Sequence, residues 1–126
     1  MTRLERKLIE SGKLFLPHFE GRSRHLSYLT IRNRICAAGI NSYTMTHPLA
    51  NKFGHMGDNI HSELSAIVHL PRNINPSDCT LYNIRFAMDG SIKMSKPCKN
   101  CSKMIAAFNI RRCYFTNNEG AFERYF

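Results

Sequence analysis

The sequence predicts an α/β domain, a mixed sheet carrying helices, on three observations. Segments patterned for strand and helix follow one another as β-β-α-β-α-β, with a further short strand at the end. The turn at 117–120 is too short for a crossover, so the strands it joins must run antiparallel. The 126 residues, 43% hydrophobic and 21% charged, have the size and composition of one globular domain.

Each element follows from local pattern. Leu4, Leu8 and Ile9 recur at helical spacing over Arg3–Lys13, and Gly12 is placed to end that helix. A linker with Pro17 and Gly21 follows. Residues 25–31 and 35–40 read as two strands of a hairpin turning at 32–34. Residues 41–58, rich in Asn, Ser, Thr, Pro and Gly, form a long loop of the kind that usually carries function. A helix is expected over about 61–69 and a strand over 80–86. Asp89-Gly90 is a turn signal, with 91–94 returning as a short strand. Pro97 then opens a second helix reaching about residue 108, followed by strands over 112–116 and 121–126. The chain reads as one domain, 1–126, with 1–22 a helix and linker and 23–126 the core. There are no repeats and no low-complexity tracts.

No stretch approaches the roughly 20 apolar residues of a membrane-spanning helix. Charges occupy the N-terminus where a signal peptide would have its apolar core. A cytoplasmic protein with no membrane partner is expected. Five cysteines, two of them in C-x-x-C, suit metal binding in a reducing compartment better than a disulfide framework. The net charge of +9, from 18 Lys and Arg against 9 Asp and Glu, favours anionic partners. The basic residues are spread along the chain, which argues against a dedicated nucleic-acid arm.

Two motifs carry chemistry together: His61-Ser62-Glu63 and Pro97-Cys98-Lys99-Asn100-Cys101. Each falls at an expected helix start. Residues three apart on a helix share a face, so Cys98 and Cys101 can aim both sulfurs at one point. A helix N-terminus favours anions, and both thiols are expected to ionise there. A closed structural zinc site needs a fourth protein ligand, and this chain has no second C-x-x-C or H-x-x-x-H. Three ligands and an open position is the arrangement of a catalytic zinc. Glu63 is then placed to move protons. Residues two apart in mid-helix diverge, so His61 must sit at or just before the first turn.

His61-Ser62-Glu63 followed by Pro97-Cys98-x-x-Cys101 resembles the H-x-E…P-C-x-x-C signature of the zinc deaminases. With the intervening strand T-L-Y, the order and spacing are similar to the cytidine deaminase-like superfamily over about residues 25–114. The resemblance implies a sheet of about five strands flanked by helices. It implies zinc on His61, Cys98 and Cys101, with Glu63 as the catalytic proton shuttle. Asn41, in a G-x-N element with Gly39, would contact the base or sugar. A backbone N–H near Ser62 would bond the base carbonyl. The implied reaction is hydrolysis of cytosine to uracil in a free nucleotide or nucleoside, a role in nucleotide metabolism.

Three features depart from the family pattern. Ser62 stands where Ala is frequent, the segment 85–96 is longer than the usual connection, and no helix precedes the last strand. The last of these resembles the nucleoside-acting branch. Single-stranded DNA or RNA remains a second substrate class. A non-catalytic zinc or nucleic-acid-binding module is a third reading; its fourth ligand would be Cys36, Cys79, Cys113 or a spare histidine, and it gives Glu63 no role. From the loop, Phe53 is a candidate for stacking on the base and His55 for lining the pocket. The remaining histidines read as surface or core residues, and Cys36, Cys79 and Cys113, in or beside strands, as buried small hydrophobes. Arg85, Lys93, Lys96 and Lys99 lie near the second motif, placed to meet phosphate or simply solvated. A homo-oligomer is left open.

Overall fold

The computed structural model describes residues 1–19, 21, 24–42, 48, 52–54 and 61–126. Most of the long loop expected over 41–58 lies outside the described residues. Among those described there are three α-helices: α1 (Arg3–Lys13), α2 (Ser62–Val68) and α3 (Lys99–Ala107). The six strands are β1 (Arg24–Ile31), β2 (Arg34–Ile40), β3 (Thr80–Phe86), β4 (Ile92–Lys93), β5 (Arg112–Thr116) and β6 (Phe122–Arg124).

They form one mixed sheet in the order β2-β1-β3-β5-β6, with β4 added on β3. β1 runs antiparallel to β2 and β3, β5 runs parallel to β3, and β6 returns antiparallel along β5 as the short turn requires. The sixth strand, β4, is the short return expected over 91–94. After Phe86 the chain turns at Gly90, where φ is +85°, and two residues pair back onto Arg85 and Phe86. The longer segment at 85–96 is therefore absorbed by a hairpin, and the second motif is not displaced.

Each face of the sheet has its own core. α1 covers one face through Leu8 and Ile9, against Leu26, Tyr28, Ile84 and Phe86. A capping box starts this helix: Glu5 N–H donates to Thr2 Oγ1 at 3.0 Å, and Thr2 N–H donates to Glu5 Oε1 at 2.8 Å. Gly12 does not end it. Gly12 lies inside the helix and faces the sheet, where a Cβ would come within 2.9 Å of Leu26 Cδ2. α2 and α3 cover the other face, with Leu64, Met104 and Ile105 packed on Leu29 and Leu81.

α2 sits unusually close to β2, and the reason is Gly39. A Cβ there would collide with the backbone of Ser65 and Ala66. Backbone cannot swing aside as a flexible side chain can, so a methyl group would push α2 off the sheet. Gly39→Ala is expected to destabilise the fold by about 1–3 kcal/mol, the usual cost of overpacking. Thermal denaturation of the two proteins checks this; an unchanged Tm would contradict the seating of α2 described here.

Candidate metal centre

His61 stands just outside α2 as its N-cap, with extended backbone (φ −80°, ψ 154°), and Glu63 lies in the first turn. This solves the problem set by a His and a Glu two residues apart. The histidine leaves before the helical register begins, so both side chains reach one point. α3 is built similarly. Cys98 is its N-cap (φ −68°, ψ 167°), and the Cys101 N–H donates to Cys98 Sγ at 3.4 Å. Pro97 thus does not open the helix as expected. It lies one residue outside, because a sulfur takes the acceptor role that a Ser or Asp oxygen usually fills at the cap.

The two helix starts bring three donor atoms together. His61 Nδ1 lies 3.3 Å from Cys101 Sγ and 3.8 Å from Cys98 Sγ. One ligand atom from each residue falls within 4.8 Å of the others. Nitrogen at about 2.0–2.1 Å and sulfur at about 2.3 Å from a tetrahedral zinc lie about 3.6 Å apart. The donor set therefore fits one zinc ion with little movement. Cys101 is buried, His61 half-buried and Cys98 exposed, so the site opens on the Cys98 side. No other such group of three occurs among the described residues.

The two thiols share a hydrogen bond that shifts them in opposite directions. Hydrogen bonds from Cys101, then from His61, hold Cys98 down to about 3. Cys101 is pushed up, first by its bond to Cys98 and then by burial. The bond to Cys98 raises the pKa of His61 against the opposing effect of burial, and the Glu63 charge adds to the rise. Burial pushes Cys79 up to about 11 and Cys113 up to about 12. Those two are neutral core thiols, and neither joins the donor set among the described residues. Cys36 is half-buried rather than buried as expected.

Glu63 is held beneath the donors by a closed ring of buried side chains. Asn83 Nδ2 donates to Glu63 Oε2 at 3.0 Å, and the Ser62 hydroxyl donates to Glu63 Oε1 at 3.2 Å. Ser62 Oγ lies 2.8 Å from Ser27 Oγ, and the Ser27 hydroxyl donates to Asn83 Oδ1 at 2.6 Å. Asn83 also reaches the second motif: its Nδ2 donates to the Ser95 carbonyl at 3.4 Å, and the Ser95 hydroxyl donates to the Asn83 carbonyl at 2.7 Å. Ser95 is pinned on its far side by the Thr116 N–H, which donates to Ser95 Oγ at 2.7 Å. Glu63 in turn bears on Cys101 through its charge and a side-chain hydrogen bond.

Sequence reasoning did not single out Ser27, Asn83 or Ser95 for this role. The available signal was a polar residue at an inward strand position between apolar ones, Leu81-x-Asn83 on β3 and Ser27-x-Leu29 on β1. His25 was also passed over. Its ring is affected by the charges of Glu63, Arg85, His61 and Cys98, which places it beside the site, and burial lowers its pKa. Of the other expected site residues, Ser62 is buried in the ring of hydrogen bonds. Asn41 clasps the start of β1: Asn41 Oδ1 accepts from the His25 N–H at 2.9 Å, and the Asn41 N–H donates to the His25 carbonyl at 3.1 Å. Phe53 is half-buried against Phe108, with ring centroids 6.5 Å apart. Asn100, between the two cysteines, ties down this segment by donating to the Gly54 carbonyl at 3.2 Å. His55 lies outside the described residues.

A mixed sheet that seats two helix starts around a His-Cys-Cys donor set, with a buried glutamate beside it, defines the zinc-dependent deaminases as a class. The model of the cytidine and deoxycytidylate deaminase zinc-binding region matches residues 27–117, and the chain belongs to that family. It is a zinc-dependent deaminase of the cytidine/deoxycytidylate type. Among solved structures, the chain is similar in fold to the dCMP deaminase from the cyanophage S-TIM5 in apo form. The TM-score is 0.61 at 20% identity, over 93% of this chain and 86% of that one. No curated protein sequence matches. No helix among the described residues is long and apolar enough to cross a membrane.

One zinc per chain is expected, since the described residues hold one convergent donor set. Elemental analysis of the purified protein checks it. Cys98→Ser and Cys101→Ser should each lose most of the metal; full retention in either would remove that cysteine from the site.

Proposed function

We propose that this chain hydrolyses the amino group of cytosine in a free nucleotide, giving uracil and ammonia. The observation that carries the chemistry is the buried ring that fixes the Glu63 carboxylate against the donor set. His61, Cys98 and Cys101 hold zinc, which when bound supplies a water activated at neutral pH. Glu63 moves protons from that water to the ring and then to the leaving amine. A backbone N–H near Ser62 bonds the base carbonyl, and Asn41, Phe53 and His55 complete the binding pocket. Residues 23–126 form the deaminase core and 1–22 an N-terminal helix and linker. The reading includes a hydrolytic role in nucleotide metabolism in the cytoplasm.

Hydrogen counting supports Glu63 as the shuttle. The ring has three oxygen–oxygen contacts: Glu63 to Ser62, Ser62 to Ser27, and Ser27 to Asn83. With Glu63 ionised, two hydroxyl hydrogens serve all three. With Glu63 protonated on Oε1, every contact has its own hydrogen and the bonds run in one sense round the ring. The Asn83 amide donates to Oε2 either way. The same scaffold can therefore hold the side chain before and after it takes a proton.

The family covers nucleosides and nucleotides alike, so the choice of nucleotide rests on charge. A balance of +9 favours an anionic substrate over a neutral one. β6 follows β5 through a tight turn with no helix between them, so no helix there widens a groove for a long strand. Single-stranded nucleic acid is the second reading, carried by the same positive charge.

Glu63→Ala is expected to lower turnover by about 10²–10⁴-fold, the usual share of a general acid–base residue. Zinc content should stay at the wild-type level, because the carboxylate moves protons and holds no metal. Asn83→Ala should lower kcat by about tenfold to a hundredfold, the cost of one lost hydrogen bond to a charged group. Steady-state kinetics with parallel zinc analysis checks both. A Glu63→Ala protein within about threefold of wild type would exclude it as the shuttle, and one that loses its zinc would make Glu63 a ligand.

A further inference from the structure

The geometry points to a phosphate subsite on a cross-strand row of three basic side chains, His25, Arg85 and Lys93, at the mouth of the zinc site. This rests on reading the site as a nucleotide deaminase and names the residues that would make it prefer the phosphorylated substrate.

Strand register carries the argument. On β1 and β3, Ser27 pairs with Asn83, and both side chains point to the zinc face, where they meet Ser62 and Glu63. Side chains alternate along a strand, so the pair two residues further out, His25 with Arg85, faces the same way. β4 continues the row, since Arg85 pairs with Lys93. Directly paired residues share a face. Adjacent strands are about 4.8 Å apart, and two residues of strand span about 7 Å. The row is thus about 10 Å wide and one step out from the Glu63 ring.

Burial and charge fit a subsite grading from pocket to solvent. Ser27 and Asn83 are buried, His25 is half-buried, and Arg85 and Lys93 are exposed. His25 is within electrostatic reach of Glu63, His61 and Cys98 on one side and Arg85 on the other. The Asn41 clasp fixes the His25 backbone on both its N–H and its carbonyl. Among the described residues neither Arg85 nor Lys93 forms an ion pair. Asp89, in the turn beside Lys93, is already engaged: its carboxylate accepts from the Ser91 hydroxyl and N–H, and those bonds, with the Lys93 charge, lower its pKa. Lys96 is drawn away over the Tyr125 ring, with Nζ 5.6 Å from its centroid, which leaves it out of the row. A guanidinium, an ammonium and an imidazole in one row beside the donor set match a phosphate monoester and have no counterpart on a neutral nucleoside.

The test uses the zinc-loaded protein with cytidine monophosphate, cytidine and a short cytosine-containing DNA strand. It adds calorimetric binding of uridine monophosphate against uridine, which needs no turnover. Wild type should prefer the monophosphate over the nucleoside in kcat/KM and in Kd. Arg85→Ala and Lys93→Ala should each cut that preference by about tenfold, with Arg85→Lys restoring part of it. A wild type with no preference for the monophosphate or the strand would overturn the nucleotide reading itself. A preference that survives both substitutions would overturn the row alone. Equal losses on phosphorylated and neutral ligands would also overturn it, as a general effect on the strand pair. Should the wild type act on the strand only, the row is supported if each substitution makes the log–log salt slope shallower by about 0.7, and overturned if the slope is unchanged.

Discussion

The Asn83 side chain is buried between β1, α2 and the segment that leads into α3, and its partners come from all three. A primary amide in such a place must be satisfied, because each unmet donor or acceptor costs about 1–3 kcal/mol. Its oxygen accepts from Ser27, and its nitrogen donates to Glu63 and to the Ser95 carbonyl. Meeting that demand fixes the distance between the two motifs, which are 37 residues apart at His61 and Cys98.

Ser95 occupies a fork in the sheet. β3 pairs with β5 only from Thr80 to Asn83, and beyond that its edge is taken by β4. Ser95 bridges the gap: its N–H donates to the Thr116 carbonyl at 2.9 Å, and its hydroxyl donates to the Asn83 carbonyl at 2.7 Å. The chain is thereby anchored to both strands three residues before Cys98. On the other helix, the missing Cβ of Gly39 lets α2 settle onto β2. The metal site inherits its geometry from these two seatings, and each is set by sheet pairing rather than by contacts between the helices.

The parts of the site legible in the sequence are those whose chemistry fixes both residue type and spacing. His61, Glu63, Cys98 and Cys101 form such a pattern, and even the N-cap position of His61 followed from the impossibility of converging two residues apart within a helix. The antiparallel return of β6 was legible because a short turn leaves no choice. Asn83, Ser27 and Ser95 were not, because a lone Asn or Ser in a strand is commonplace until its register partner is known. His25 reads as an ordinary strand residue until pairing with Arg85 puts it beside Glu63. Gly12 looked like a helix stop because helix ends and close packing both select glycine, and only the Leu26 contact distinguishes them.

The proposed mechanism requires that three protein ligands hold the metal and that Glu63 stands beside it without binding. X-ray absorption at the zinc edge of the metal-loaded protein tests that claim most directly. It should find two sulfurs at about 2.3 Å and two nitrogen or oxygen atoms at about 2.0–2.1 Å, with the same shell in Glu63→Ala. A third sulfur, or a Glu63→Ala shell that has lost an oxygen, would contradict it.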